Sequence, residues 1–482
     1  MHISMRNKLL NTTKLTSKKT PMLFASMAMA TAINLIAPHA YAQDSCTPDR
    51  VGTAGSDIIT CTGDQPSGNA GIVRGEEGDD TINVTDANAN GVNFDVEGDE
   101  GSDTITVTNS IVNDLRSDSA TGTGEDVTDG NDLITFTNST LTEQLYLGGG
   151  NDRFSATGST INDLYVGSGN DIVTLDNSTL DSFFNSLGGD ETITLTNGSL
   201  IDSSVNIGDG VDVVSLDNST IDGSLTVGNS SADDGADTVT LTNNSEIDGN
   251  INLGEGNDRL TATNSIIDGT INSTGGDDTI ILTNVTELNG LSISEGADTV
   301  TLVNTDLTSS LTVGTNNVND GADTVTLTMS DVNGSVFLGE GNDSLTATDG
   351  IINGSVSSTG GDDTVILTNV IDVNSINITD GADTVVLDNT ILSGQLDVGV
   401  NGDTDGADNV TLRNNSDVGT SIDLGSQNDV LTASDSRING SIFSSDGDDT
   451  VSLTNVIDVN SITIQEGADT CLLYTSPSPR DS

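Results

Sequence analysis

Asn–Asp pairs set among glycines recur along this chain and are its strongest candidates for chemistry. Gly254-Glu255-Gly256-Asn257-Asp258, Gly150-Asn151-Asp152, Gly169-Asn170-Asp171 and Gly341-Asn342-Asp343 share the pattern; Gly276-Asp277-Asp278 and Gly447-Asp448-Asp449 are looser copies. Carboxylate, amide and backbone carbonyl oxygens on a glycine turn are the ligand types of a hard cation such as Ca²⁺. The expected Ca²⁺ ligands are therefore Asn151, Asp152, Asn170, Asp171, Asn257, Asp258, Asp278, Asn342, Asp343 and Asp449. The same residues also make ordinary solvated turns that keep a protein soluble. Both readings are open at the level of sequence.

Other chemistry is largely excluded by composition. The 482 residues carry 74 Asp and Glu against 13 Lys and Arg, a formal net charge of −61. The lysines (Lys8, Lys14, Lys18, Lys19) and both histidines (His2, His39) all precede Gln43, in a stretch without a single acid. Downstream the only cations are scattered arginines, and Trp is absent. General-base histidines, Schiff-base lysines and Ser–His triads have no residues to use there. Nucleic acid is not an expected partner, because phosphate neutralisation needs the missing cations. Paired acids can hydrolyse glycosides, but Arg153, Arg259, Arg413 and Arg437 are spread out and no aromatic platform for sugars is visible. No enzymatic activity and no certain cofactor is expected, Ca²⁺ being the one candidate.

Residues 1–42 read as an export leader. Arg6, Lys8, Lys14, Lys18 and Lys19 form a basic region, Met22 to Ala37 is uncharged and mostly apolar, and Ala40-Tyr41-Ala42 is a small-x-small cleavage site. Cleavage is expected between Ala42 and Gln43, since the apolar stretch is short and weakly apolar for a membrane span. The mature protein would then be Sec-exported and reside outside the cell or on its surface. Residues 43–77, with Pro48, Gly52, Gly55 and Pro66, read as an N-terminal cap. In an oxidising compartment Cys46 and Cys61 are expected to pair there; a two-cysteine metal site without His is the poorer alternative.

From about Gly78 the chain repeats. An acidic anchor precedes each short apolar run, from Asp80, Asp103 and Asp132 to Asp429, Asp449 and Asp469, mostly in steps of about 20 residues. Longer steps land on Asp237, Asp323 and Asp408, each after an inserted loop, so four units make a module of about 85 residues. Within a unit Thr238, Thr240 and Thr242 alternate with Val239 and Leu241, and Ile221, Leu225 and Val227 share one face of a second short run. That period of two describes strands with one face inward. A two-strand unit cannot bury its apolar face alone, so the units must coil and stack. The fold expected for residues 78–470 is all-β, a parallel β-helix or β-solenoid of about 20 residues per coil and roughly 19 coils, about 90 Å long. An aromatic content of 2% suits a narrow aliphatic lumen.

Six residues past most anchors stands an Asn: Asn109, Asn138, Asn177, Asn197, Asn218, Asn243, Asn264, Asn284, Asn304, Asn369, Asn389, Asn414 and Asn455. The expectation is an internal, structural amide ladder whose members bond from coil to coil. Outward threonines form a second regular array, as in Thr104, Thr106 and Thr108 or Thr324, Thr326 and Thr328. Flat Thr-x-Thr ranks resemble the surfaces of ice-binding proteins, although β propensity alone also places Thr there. Val386, Asp388 and Ala262 read as interruptions of the array.

An export leader, a local cysteine pair and a long solenoid of Gly-x-Gly-Asn-Asp…Leu-x-Asn-Ser-x-Ile-x-Gly units together resemble the passenger domains of bacterial autotransporters, over roughly residues 43–470. The resemblance implies a monomeric surface-displayed or released rod with a structural or adhesive role. It also implies an outer-membrane barrel downstream and a ligand on a host or neighbouring cell. Gly254-Glu255-Gly256-Asn257-Asp258-Arg259-Leu260 also resembles the Ca²⁺-binding motif of repeats-in-toxin proteins. That family repeats its motif every nine residues or so, whereas here it comes once per coil. Residues 471–482 leave the repeat and resemble translated read-through of a sequencing adapter; the repeat is expected to continue in the full gene.

Overall fold

The computed structural model describes residues 46–47, 49–63, 71–88, 94–118, 130–229, 234–317, 320–399 and 405–474. The expected export leader and its expected cleavage junction at Ala42–Gln43 lie outside these residues. Among them the chain is all-β, and its period of two becomes strands where the sequence places it. Each coil opens, directly after its anchor, with a five-residue strand such as Thr238–Thr242 or Thr324–Thr328, in which Thr faces out and Val and Leu face in. Successive strands pair in parallel and in register: Val239 lies beside Leu260, Leu260 beside Ile280, and Ile280 beside Val300. The result is a broad sheet of 21 strands.

One or two shorter strands complete a coil, for example Glu246–Ile247 and Ile251–Asn252, and these also stack in parallel on their equivalents. Thr140–Tyr146 and Thr160–Ser168 run through the corner between the two narrower faces as single strands. Val239, Leu241, Ile247, Ile251 and Leu253 are fully buried and represent one coil's share of a continuous core. Each such side chain contributes about 1.5–3 kcal/mol through removal from water, set against the conformational entropy of ordering the chain. The stack is a solenoid of about 19 turns, as the spacing of the anchors requires.

The lumen admits rings in its first part, against the expectation of a purely aliphatic interior. Phe94, Phe136, Phe154 and Phe184 are fully buried, and Phe136 meets Phe154 edge-to-face at 6.0 Å between centroids. The small Ala156, two residues along the same strand as Phe154, also faces inward. At the N-terminal end, Cys46–Thr47 pairs antiparallel with Ile58–Thr62, and Cys46 and Cys61 are disulfide-bonded as expected. At the other end Thr470–Tyr474 pairs in register with Thr450–Thr454 and extends the broad sheet by one strand.

Candidate functional site: stacked carboxylates and a threonine face

The acidic anchors point into the solenoid. Asp80, Asp103, Asp171, Asp237, Asp258, Asp298, Asp323 and Asp408 are 2% exposed or less. The Oδ1 of an Asp anchor accepts the backbone N–H of the anchor one coil earlier: Asp212 N to Asp237 at 2.8 Å, Asp237 N to Asp258 at 2.8 Å, Asp258 N to Asp278 at 2.8 Å. An Asp side chain is just long enough to bridge this step from strand to strand, which accounts for its recurrence at the start of nearly every broad-sheet strand. The Oδ2 atoms of Asp237, Asp258, Asp298, Asp323, Asp383 and Asp408 are buried without a hydrogen-bond partner among the described residues.

That arrangement is electrostatically costly. Burial raises these carboxyls above the usual carboxylate range, and like-charged neighbours one coil away add to the shift: Asp258 and Asp298 are pushed up to about 8, Asp237, Asp323 and Asp408 to about 9. Asp237 and Asp323 stand beside a second carboxylate supplied by an inserted loop, Asp234 and Asp320. Asp320 Oδ2 accepts from the amides of Thr315 (2.7 Å) and Glu340 (3.0 Å) and so closes its loop. Glu191, the one Glu among the anchors, has a carboxyl raised to about 9 by burial and by Asp212.

The Asn preceding an anchor faces the other way. Asn151 and Asn170 are exposed, and their Oδ1 atoms accept the next coil's amides, from Asn170 at 2.8 Å and from Asp190 at 2.9 Å. Asn257 and Asn342 do the same for Asp277 and Asp362, both at 2.9 Å. In each expected Ca²⁺ pair, then, Asn151, Asn170, Asn257 and Asn342 lie outside while Asp152, Asp171, Asp258 and Asp343 lie inside, so the two side chains of a pair do not converge. Asp278 and Asp449 are buried anchors too. The second oxygens of Asp343 and Asp449 receive hydroxyls from Ser358 (3.2 Å) and Ser444 (2.5 Å). Among the described residues no group of three or more His, Cys, Asp or Glu is placed to hold one metal ion.

The Asn ladder exists, but on the outside. Asn177, Asn197, Asn218, Asn243, Asn264, Asn284, Asn304, Asn369, Asn389 and Asn414 are exposed and Asn455 partly so, and all have positive φ between 48° and 57°. The turn after the broad strand needs a left-handed residue, and Asn tolerates that conformation better than other side chains. The amides do bond from coil to coil: Asn284 Nδ2 to Asn264 Oδ1 at 2.8 Å, Asn304 to Asn284 at 2.9 Å, Asn389 to Asn369 at 2.9 Å. The internal ladder that the sequence reading missed is made of the hydroxyl residues just beyond. Ser110, Ser139, Ser159 and Ser178 are buried; each accepts the preceding coil's amide at about 3 Å, as in Ser139 N to Ser159 Oγ at 3.1 Å, and Ser159 Oγ donates to Thr157 O at 3.0 Å. The recurring Asn-Ser dipeptide was its signal.

The outward face of the broad sheet is chemically plain. Its middle column runs from Thr60 through Thr106, Thr194, Thr240, Thr301 and Thr346 to Leu472 and contains no charged residue. Charges stand only in the flanking columns, as Arg153, Asp176, Asp217, Arg259 and the Asp388–Arg413 pair, in contact at 2.9 Å. Ala262 is buried and does not interrupt the array; Val386 and Asp388 do face outward.

The second sheet carries an aromatic cluster that spacing alone concealed. Tyr146 stacks on Tyr165 with centroids 4.5 Å apart and planes 11° apart, and Tyr165 meets Phe183 at 5.3 Å. Steps of 19 and 18 residues do not look alike in the sequence: a register shift between Leu141 and Gln144 makes Tyr146 and Tyr165 partners, while Tyr165 pairs with Asn185 and meets Phe183 off register.

No protein-family model matches the chain, and no curated protein sequence matches it. Among solved structures it is similar to a hyperactive, Ca²⁺-dependent, β-helical antifreeze protein from an Antarctic bacterium, at 17% identity and a TM-score of 0.33, over 78% of this chain and 88% of that one. A likeness of that grade fixes neither a site nor a ligand for this chain.

Proposed function

We propose that the chain is an exported, acidic β-solenoid rod, displayed on or released from a bacterial surface as an autotransporter passenger, that binds through the neutral face of its broad sheet. The supporting observation is the uncharged middle column in a chain of net charge −61. On the broad sheet the outward acids Asp176, Asp217 and Asp388 keep to a flanking column, so the middle column is free of like charge that would keep surfaces apart. A repetitive flat face suits an extended ligand on a host or neighbouring cell better than a small molecule. Binding of the purified, labelled chain to bacterial and host cells should fall at least tenfold when Thr240, Thr301 and Thr326 are replaced by Lys; undiminished binding removes this reading. The same grid of hydroxyls, about 4.8 Å by about 6.8 Å, also suits a solid lattice such as ice. Thermal hysteresis of the purified chain tests that ligand, and its absence excludes it.

A second reading is favoured by the unpartnered buried oxygens: Ca²⁺ stabilises the rod. Asp237, Asp258, Asp298 and Asp323 would supply carboxylate oxygens, and the cation would neutralise charges that no Lys or Arg reaches. Chelation should then lower the melting temperature and millimolar Ca²⁺ restore it; a melt unchanged across the titration rules it out.

A further inference from the structure

The outward aromatic stack on the second sheet is closed at one end and open at the other. Arg116, Tyr146 and Tyr165 occupy equivalent positions on successive strands. The Arg116 guanidinium lies 5.6 Å from the Tyr146 ring centroid and covers the first ring. Tyr165 stacks on Tyr146, and Phe183 meets Tyr165 with its plane tilted by 40°. At the far end Phe183 is 46% exposed. Phe184 pairs with Val205, so the backbone neighbour of Phe183 on the next coil is the small Ser204.

The surroundings of that open ring are acidic. Asp163 Oδ1 accepts the Phe183 amide at 3.2 Å. Asp181 and Asp202 are exposed on adjacent coils, held in register by amide bonds to Ile161 O and Leu180 O, both 2.8 Å. No Lys, Arg or His occurs between Arg153 and Arg259. A ring face attracts a cation through its quadrupole, and a planar guanidinium can also stack on it. The stack already receives one guanidinium at its closed end, and its open end offers the same face with carboxylates beside it.

We propose that the open face of Phe183, together with Asp163, Asp181 and Asp202, is a docking point for an arginine side chain of a partner protein. The partner's guanidinium lies over Phe183 as Arg116 lies over Tyr146, while the carboxylates accept its N–H groups. The site is on the second sheet, so its fate is separate from that of the threonine face.

The test uses the purified chain and a fluorescein-labelled hexa-arginine peptide at physiological salt, read by anisotropy. Because a strongly acidic rod attracts any polycation, the variants carry the discrimination. Phe183→Leu keeps an apolar side chain but loses the ring, and should weaken binding about fivefold, the order of one cation–π contact. Phe183→Tyr should bind within about twofold of the parent. Phe443→Leu, at another exposed ring of the second sheet (41% exposed), should also stay within about twofold. Asp202→Asn should weaken binding, and hexa-lysine should bind more weakly than hexa-arginine. Failure of the peptide to bind, equal binding by Phe183→Leu and parent, or an equal loss in Phe443→Leu would each overturn the proposal.

Discussion

The backbone amide of Asp237 donates to Oδ1 of Asp258 at 2.8 Å, one coil further along, and the second oxygen of each carboxyl is buried with no partner among the described residues. One oxygen thus serves the fold, while the other keeps a carboxyl in an interior where ionisation is unfavourable. The stability of the rod should follow from this pairing.

Stability should fall as pH rises. The anchors' folded pKa values lie above the unfolded aspartate value of about 3.9, at about 8 for Asp258 and Asp298 and about 9 for Asp237 and Asp323. Their contribution is complete below the unfolded pKa and is lost progressively until pH passes the folded values. Melting temperatures measured without Ca²⁺ should therefore be highest at about pH 4 and decline to about pH 9.

Asp298→Asn should flatten part of that decline. The amide retains an oxygen for the Asp278 N–H, now 2.8 Å from Asp298 Oδ1, and removes the ionisable group. Relative to the parent, the variant should gain about 1 kcal/mol per pH unit between about pH 4 and 8, then level off. Denaturant unfolding at several pH values reads this difference, and parallel curves would contradict it.

The two polar ladders should differ in cost. Ser159→Ala leaves the buried Ser139 amide without its acceptor and should lose about 1–3 kcal/mol. Asn264→Ala acts on an exposed amide and a left-handed residue, and should lose only about 1 kcal/mol. Equal losses would place both ladders in the same environment.

Met329 occupies the left-handed position that Asn holds elsewhere, with φ of 52° and an exposed side chain. Met329→Asn should raise stability by about 1 kcal/mol by relieving the backbone and restoring an amide rung next to Asn304. A lower melting temperature would contradict this account of the turn.

Much of the fold was legible because a solenoid states its register repeatedly. Asp237, Asp258 and Asp278 announce the coil length, and Val239 and Leu241 announce the inward face. Which polar residue was inside was harder to read. Asn264 and Ser265 are neighbours, and only the left-handed turn at Asn264 decides that the amide goes out and the hydroxyl goes in. Asn257 and Asp258 present the same ambiguity, since both are short oxygen acceptors and adjacent strand residues point to opposite faces. The rings Tyr146, Tyr165 and Phe183 escaped notice because a register shift in Thr140–Tyr146, invisible in the residue count, pairs the two tyrosines, and Phe183 reaches Tyr165 from an unpaired register.

Carbon-13 NMR titration of the aspartate side-chain carboxyls, on the chelated protein, tests the interior ladder most directly. A set of carboxyl resonances should keep the chemical shift of the protonated form at neutral pH and titrate between about pH 7 and 10, as the values of about 8 for Asp258 and Asp298 and about 9 for Asp323 require. Titration of every aspartate near pH 4 would contradict the account.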